Sequence, residues 1–319
     1  MSKKVLANDG ISQSGVDALT AAGYEVITTN VAQEQLESYI NEHQIVALLV
    51  RSATKVRKDL IDACPSLKLI GRGGVGMDNI DVDYAREKGL HVINTPASSS
   101  SSVAELVFAH LYGGVRFLYD SNRNMPLEGD QNFKGLKKQY AKGTELRGKT
   151  IGIIGIGRIG QEVAKIAAGV GMNVIAFDSY ATAAPTIKWS LFDGQEIQVK
   201  IPLVTKEELL AQSDFITLHV PAQKEYVLST ADFQAMKPGS AIINAARGGV
   251  IDEVALVAAL ENEHLSFAAL DVFEKEPQPE IQLLMNSKLS LSPHIGAATL
   301  EAQDRIGVEL ADQIADLLK

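Results

Sequence analysis

The strongest restriction on what this chain can fold into is a rhythm. Short apolar runs alternate with amphipathic stretches almost from end to end, the pattern of β-α units that feed a parallel sheet. Two series are visible. The first predicts strands near Lys4–Ala7, Glu25–Thr28, Ala47–Val50, Lys68–Gly71 and His91–Asn94, with helices near Gly15–Ala22, Gln33–Asn41, Lys58–Cys64 and Asp81–Lys88, and stops at Thr95-Pro96. The second predicts strands near Thr150–Ile154, Asn173–Phe177, Asp214–His219, Ser240–Asn244, Phe267–Leu270 and Leu289–Leu291. Each is short and rich in Ile, Val or Phe, as strands buried on both faces are. At 319 residues the chain has room for about two domains, so each series is assigned its own sheet and core.

Four segments depart from the rhythm. Lys188-Trp189-Ser190-Leu191-Phe192 leads into Asp193-Gly194 and then into alternating Ile197, Val199 and Ile201. Asp-Gly between alternating runs predicts an inserted β-hairpin over 187–201, with Trp189 packing it down. Ser102-x-x-Glu105 ahead of Val103, Leu106, Val107 and Leu111 is a capping box, so a long helix is expected to start at Ser102 after a short serine joint. From Ser121 to Lys149 the pattern lapses into Asn-, Gly- and Lys-rich sequence, longer than an ordinary loop; we read it as an arm reaching a second copy of the chain. The last helix, from Thr299 onward, puts Ile306, Leu310, Ile314 and Leu317 on one face and has no strand left to join in the second series. It is expected to return to the first domain, giving a discontinuous domain of 1–97 plus 292–319 and a second of 98–291, with crossings near Pro96 and Pro293 as a hinge.

Composition narrows the partners. Thirty Lys and Arg against 39 Asp and Glu leave a net charge of −9, which argues against nucleic acid or an anionic membrane as the main partner. The apolar runs have strand length, well below the ~18 residues of a membrane span. Met1-Ser2-Lys3-Lys4 leads into only Val5-Leu6-Ala7 before Asn8-Asp9-Gly10, too short a run for a signal peptide. Cys64 is the only cysteine, which rules out an intrachain disulfide and a cysteine-based metal cage; it reads as a small buried apolar residue in a reducing, cytoplasmic protein.

Gly155-x-Gly157-x-x-Gly160 follows the strand Thr150–Ile154 and opens a helix at Arg158-Ile159. Glycines there let the backbone approach a pyrophosphate, whose charge the helix N-terminus stabilises. The next strand ends in Ala176-Phe177-Asp178, an acid near the ~20-residue offset of the group that bonds ribose hydroxyls. Asp178 repels a 2′-phosphate, so NAD is expected rather than NADP. A second match, Gly71-x-Gly73-x-x-Gly76, also follows a strand, but Met77-Asp78-Asn79 intervenes before a helix that Asp81 is expected to cap, and the next strand ends in Asn94. This loop is not a dinucleotide site; its N–H groups suit a smaller anion such as a carboxylate.

Further segments occur in order: Val50-Arg51-Ser52, the Gly71 loop through Asp81, Asn94-Thr95-Pro96, Ser102-Val103-Ala104-Glu105, the Gly155 loop, Asn244-Ala245-Ala246-Arg247-Gly248-Gly249, Asp271-Val272-Phe273-Glu274-Lys275-Glu276-Pro277 and Ser292-Pro293-His294-Ile295-Gly296. Together they resemble the D-isomer-specific 2-hydroxyacid dehydrogenases over essentially the whole chain. The resemblance implies an α/β fold of two Rossmann/flavodoxin-like doubly wound parallel-sheet domains with a cleft between them, one binding NAD and the discontinuous one binding the acid. It implies that Arg247 orients the substrate, that His294 is the catalytic acid/base, and that Glu276 pairs with it. It implies cofactor contacts at Gly155, Gly157, Arg158, Ile159, Gly160, Asp178, Ala245, Ala246, Asp271, Gly296 and Ala297, and substrate contacts at Arg51, Ser52 and the Val75-Gly76 backbone. Where relatives often carry threonine after His219, this chain has Val220, which offers only its backbone.

The chemistry accounts for those residue types. Removing a hydride from C2 of an alcohol leaves a carbonyl only if a base takes the hydroxyl proton, and imidazole titrates near pH ~6.5, close to working pH. Glu276 stabilises the imidazolium and fixes which ring nitrogen of His294 faces the substrate. Arg247, permanently charged and fork-shaped, holds a carboxylate and polarises the C2 oxygen. Within the family the resemblance is greatest to members that oxidise D-3-phosphoglycerate to 3-phosphohydroxypyruvate for serine biosynthesis. A phosphate asks for more positive charge than one guanidinium, and Arg72 is the candidate; Lys134, Lys137, Lys138 and Lys142 on the arm are a further basic run. The chain ends at Lys319, right after its last helix, so the regulatory domain of longer relatives is expected to be absent. Two other readings stand beside this one: a glyoxylate, hydroxypyruvate or D-lactate dehydrogenase with the same triad, and an NAD(H)-sensing corepressor on the same fold, against which the negative charge counts. His43, His91, His110, His219 and His264 lack ligand spacing, so no metal is expected. The partners expected are a small, phosphorylated 2-hydroxy or 2-oxo acid and, as a homodimer, a second copy.

Overall fold

A computed structural model describes residues 3–319; Met1 and Ser2, where the expected first domain begins, lie outside the described residues. The chain divides into two compact units, one that runs to Ser102 and resumes over Ala297–Lys319, and one formed by Val103–Gly296.

The first unit is built on a parallel sheet of β1 (Lys3–Ala7), β2 (Tyr24–Ile27), β3 (Ile45–Val50), β4 (Leu69–Arg72) and β5 (His91–Asn94), in the order β2-β1-β3-β4-β5. Neighbouring residues on a strand face opposite sides, so both faces carry a core. Leu6, Leu48 and Ile70 pack against α2 (Leu36–His43), α3 (Lys58–Ala63) and α4 (Val82–Glu87). Val5, Leu49 and Leu69 pack against α1 (Gln13–Ala21) and the last helix, α13 (Leu300–Leu317), through Leu19, Ile306, Leu310 and Ile314. Two details differ from expectation. Leu317 is 41% exposed; the helix ends there, and Leu318, at φ −110°, swings onto the core instead. Asp81 makes no cap bond to α4. The Val56–Ile80 bridge brings it to the start of α3, where Oδ2 accepts the Lys58 N–H at 3.0 Å and Oδ1 accepts from Arg57 at 2.9 Å.

The second unit holds a six-stranded parallel sheet of β6 (Thr150–Ile154), β7 (Asn173–Phe177), β10 (Phe215–Leu218), β11 (Ser240–Asn244), β12 (Leu265–Leu270) and β13 (Leu289–Leu291), in the order β13-β12-β11-β10-β6-β7. Ile151, Ile153 and Ile243 face α5 (Ser100–Val115) and α8 (Arg158–Gly169) through Val107, Leu111 and Val163. Ile216, Ile242 and Leu270 face α9 (Lys206–Gln212), α10 (Thr230–Ala235) and α11 (Glu253–Glu261) through Leu209, Phe233 and Leu256. The expected hairpin is present as antiparallel β8 (Thr186–Ser190) and β9 (Glu196–Lys200). Half-buried Trp189 packs its base onto the α5–α8 core.

The long helix starts at Ser100 rather than Ser102. The Ser102 hydroxyl is therefore inside the first turn, and it meets Thr299 Oγ1 at 2.8 Å. The arm is not structureless: it forms α6 (Leu118–Glu128) and α7 (Phe133–Gln139). Polar bonds rather than an apolar stripe join them, with Tyr140 Oη donating to Asp120 at 2.7 Å and accepting from Asn124 Nδ2 at 2.6 Å. That is why periodicity did not reveal them. A short α12 (Ile281–Leu284) precedes β13.

Candidate active site

The carboxyl ends of the six-stranded sheet carry most of the predicted site. After β6 the chain turns at Gly155, with φ +93°, where a Cβ would stand 2.5 Å from the His219 carbonyl oxygen. At Gly160 a Cβ would stand 2.2 Å from the Gly155 oxygen, so only glycine lets α8 pack this close to the turn that feeds it. Gly157 differs: a Cβ there would meet nothing within 4 Å. It is the N-cap of α8 and has no side-chain cap bond, which leaves the first N–H groups of the helix, at Arg158 and Ile159, open on the side a pyrophosphate needs. Asp178, just past β7, accepts from Ile156 N at 2.9 Å, Tyr180 N at 2.8 Å and Ala181 N at 3.1 Å. These bonds fix the carboxylate against the glycine turn while leaving acceptor capacity for ribose hydroxyls. The donor set fits a dinucleotide. Beside it, burial pushes the His219 imidazole down to about 3, keeping it neutral, with Nε2 3.0 Å from Thr217 Oγ1.

Arg247 follows β11. Asn244, the last strand residue, brackets the turn: its Nδ2 donates to the Arg247 carbonyl at 2.9 Å and its Oδ1 accepts from Ala246 N at 3.1 Å. Ala245 and Ala246 are buried, and Arg247 is half-buried with Nη1 donating to the Ala246 oxygen at 2.6 Å. A Cβ on Gly248 would lie 1.8 Å from the Phe273 oxygen. The Arg247 turn thus presses directly against the loop after β12. Sequence reading missed Asn244 as a working residue, although it stood in the quoted motif.

In that loop Glu276 Oε1 accepts from Phe273 N at 3.0 Å, and Oε2 lies 2.8 Å from His294 Nδ1. Both side chains are partly open, 36% and 41% exposed, as groups that meet a ligand must be. Glu253, the first residue of α11, supports the loop by accepting from Glu274 N at 2.8 Å, while Glu274 accepts from Glu253 N at 3.2 Å; burial foremost raises the Glu253 carboxyl.

His294 sits three residues beyond β13 with φ +56°, a left-handed conformation costing a side-chain-bearing residue about 1 kcal/mol. Asp271 offsets it. Its carbonyl accepts from His294 N at 2.8 Å, Oδ1 from Ile295 N at 2.8 Å and Ser292 Oγ at 2.6 Å, and Oδ2 from Gly296 N at 2.9 Å. Asp271 is only 2% exposed, so the structure gives its carboxylate a task within the protein besides the cofactor contact expected of it.

The first unit, taken by itself, gathers the remaining candidates at the carboxyl ends of β3 and β4. Arg51 is held by Asp9, whose Oδ2 accepts from Arg51 N at 2.6 Å and Thr54 N at 3.1 Å, and its Nη1 donates to Gln303 Oε1 at 2.8 Å. Asn79 Nδ2 reaches the Arg51 and Thr54 carbonyls at 2.8 and 2.6 Å. Ser52 and Val75 are exposed, and Gly76 is half-buried. Arg72 Nη1 donates to the Gly73 oxygen at 2.6 Å, and the Val75 oxygen accepts from Asn94 Nδ2 at 2.8 Å. Asp9 and Gln303 had no sequence signal, because their partners are distant in the chain. Ala297 opens the returning segment of this unit. Among the described residues no three His, Cys, Asp or Glu side chains group to hold a metal ion, and no helix is long and apolar enough to cross a membrane.

Comparison with known proteins shows the family. Residues 108–296 match the family described as D-isomer specific 2-hydroxyacid dehydrogenase, NAD binding domain. The chain is 39% identical to a hydroxypyruvate reductase of Thermotoga maritima, over 98% of this chain and 97% of that protein. It is also 39% identical to a D-3-phosphoglycerate dehydrogenase of Archaeoglobus fulgidus, over 99% of this chain but 57% of the relative; the chain spans little more than half the length of such relatives. A solved glyoxylate reductase from Paecilomyes thermophila superposes with a TM-score of 0.81 at 30% identity, covering 98% of this chain and 94% of that one.

Proposed function

The chain belongs to the D-isomer specific 2-hydroxyacid dehydrogenases, and we propose that it transfers a hydride between C2 of a small D-2-hydroxy acid and NAD, with Arg247, Glu276 and His294 as its catalytic residues. The observation that carries the reading is the 2.8 Å pairing of His294 Nδ1 with Glu276 Oε2 on the sheet edge that also bears the open Gly157 turn. Glu276 accepts the Nδ1 proton, so Nε2 is the nitrogen free to work. In the oxidation direction Nε2 takes the hydroxyl proton as the C2–H bond breaks and the C2–O bond becomes a carbonyl; in reduction it returns that proton. Arg247 binds the substrate carboxylate and stabilises charge on the C2 oxygen. The Gly155 turn and the N-terminus of α8 would hold the pyrophosphate of NAD and Asp178 its ribose, and the cofactor would supply the two-electron hydride acceptor. Arg158, Ile159, Ala245, Ala246, Asp271, Gly296 and Ala297 complete its contacts, and the negative charge of Asp178, which would repel a 2′-phosphate, selects NAD over NADP.

For the substrate we take D-3-phosphoglycerate, oxidised to 3-phosphohydroxypyruvate, with Arg51, Ser52, Arg72, Val75 and Gly76 as its contacts in the discontinuous domain. The names of several relatives support it, as do two arginines at the carboxyl ends of adjacent strands, Arg51 just past β3 and Arg72 closing β4. A second reading, reduction of unphosphorylated hydroxypyruvate, is favoured by the Thermotoga maritima relative, which matches along nearly its whole length. Screening NADH oxidation against a panel of 2-oxo acids, with His294→Gln as control, tests the reaction. Preference in kcat/KM for 3-phosphohydroxypyruvate supports the first reading, and preference for hydroxypyruvate replaces it with the second. A chain that binds NADH yet turns over none of the acids is a sensor rather than an enzyme. We further place the protein in the cytoplasm and read α6 and α7 as a homodimer arm, since Leu118, Leu127 and Phe133 are exposed there at 63%, 74% and 58%.

A further inference from the structure

Beneath the His294 turn lies a titratable side chain that the chemistry above leaves unused. His110, on α5, is 7% exposed, and both its ring nitrogens are engaged: Nδ1 lies 2.8 Å from Ser290 Oγ and Nε2 lies 2.9 Å from Ser292 Oγ. Ser290, on β13, and Ser292, just past its end, flank Leu291 in the segment that leads to His294. Ser292 Oγ is also 2.6 Å from Asp271 Oδ1.

The direction of each bond in this chain follows from donor counting. An ionised carboxylate only accepts, so the single Ser292 O–H goes to Asp271. Ser292 Oγ must then accept from His110, which places the ring proton on Nε2. Nδ1, left with a lone pair, accepts the O–H of Ser290. The polarity runs one way, from Ser290 through His110 and Ser292 to Asp271. Burial lowers the tendency of His110 to take a second proton, against a smaller opposing effect of Asp271; a neutral ring is what such a one-way chain requires. At its end the Asp271 carboxylate, itself buried, accepts from Ile295 N and Gly296 N, the two amides that follow His294. A Cβ on Gly296 would stand 3.1 Å from Asp271 Oδ2, so the turn closes tightly on the carboxylate.

Resting on the role proposed above for His294, we infer that His110 is a positioning residue for it: through Ser292 it orients the Asp271 carboxylate, which holds the His294 turn in the left-handed conformation that lets Nδ1 reach Glu276. His110 touches neither the reacting atoms nor Glu276, so its influence passes through hydrogen-bond direction alone. An apolar residue on α5 fills the space but leaves the Ser292 hydroxyl free to rotate away.

Two variants separate direction from packing. His110→Leu removes both ring nitrogens and suits a helix; His110→Gln keeps an acceptor for Ser290 and an N–H donor for Ser292. In hydrogen–deuterium exchange of the protein without added nucleotide, the 290–298 peptide is expected to exchange about tenfold faster in His110→Leu and to stay within about threefold of wild type in His110→Gln. In NADH-linked assays His110→Leu should lower kcat about tenfold and raise the primary deuterium isotope effect as the chemical step slows. His110→Gln should restore kcat to within about threefold. Unchanged exchange in the leucine variant overturns the proposal, and so does an exchange or rate defect that glutamine shares in full. A rate loss matched by an equal loss of NADH-binding sites overturns it too, since the residue would then serve folding only. A wild-type protein without turnover sinks the functional reading while the exchange experiment still decides the positioning one.

Discussion

Gly71-x-Gly73-x-x-Gly76 and Gly155-x-Gly157-x-x-Gly160 spell one motif after parallel strands of two separate sheets, and the chain makes different things of them. At Gly155 the strand has ended, the first glycine takes φ +93°, and α8 starts immediately from Gly157. At Gly71 the first glycine is still inside β4, where a Cβ would strike Leu49 Cδ2 at 2.6 Å. The positive φ there, +144°, belongs to Gly74, a variable position of the motif, its N–H goes to Thr95 Oγ1, and no helix begins until Val82. The motif letters therefore matter less than the element that follows. Only a helix N-terminus directly after the turn offers aligned N–H groups and a favourable dipole to a pyrophosphate.

The difference can be broken by mutation, beginning with the chemistry assigned to the second unit. His294→Gln should cut kcat by about a thousandfold while NADH binding stays within about twofold, since only the proton carrier is lost; stopped-flow turnover with fluorescence titration of NADH checks both, and a loss of under tenfold would remove His294 from its role. Gly160→Ala comes next. Its Cβ would fall 2.2 Å from the Gly155 oxygen, a backbone clash that should weaken NADH binding by about 10- to 100-fold. The matched Gly73→Ala, 3.2 Å from the terminal Ile306 Cγ2, should leave NADH affinity within about twofold. Equal effects on NADH from the two substitutions would erase the distinction between the loops.

A smaller effect sharpens the assignment of the first unit. Arg72→Ala should raise KM about tenfold for 3-phosphohydroxypyruvate and less than about threefold for hydroxypyruvate, because a phosphate loses a charge-assisted bond that the unphosphorylated acid never makes. Initial-rate kinetics with the two acids decide it. Smallest is a stability effect at the opposite end of the second sheet. Burial raises the Asp214 carboxyl, but bonds from Lys237 Nζ and Thr150 N outweigh this and leave it below its ordinary value of 3.8. A depressed carboxyl contributes stability above its unfolded value and loses it as pH falls through the folded one. Asp214→Asn should therefore lower Tm by about 2 °C at neutral pH, with the gap to wild type closing below about pH 4; calorimetry across that range would expose a gap that persists.

Legibility in the sequence followed physical range. The β-α rhythm, the Asp193-Gly194 hairpin and the Gly155 turn were readable because their causes lie within a few residues: alternation, a turn pair, a strand-turn-helix junction. Helices α6 and α7 escaped because the Asp120–Asn124–Tyr140 bonds that join them leave no apolar period. Asp81 was misassigned to α4 because an acid before a helix is an N-cap signal, whereas the Val56–Ile80 bridge brought it to α3. Within the site, Glu276 and His294 were named from motifs, but nothing local told that Asp271 carries the His294 turn.

By itself, then, the amino-acid sequence determined the strands, their division into two series, the family and the residue types able to bind a dinucleotide and move a proton. Only the tertiary structure decided which polar groups meet across distant segments: the Asp9 carboxylate with the Arg51 N–H, the Asn79 amide with the Thr54 carbonyl, and His110 with Ser292, which in turn bonds Asp271. Periodicity and turn chemistry act between neighbours in the chain. A buried hydrogen bond instead depends on where two strands end, and no short window of sequence contains both.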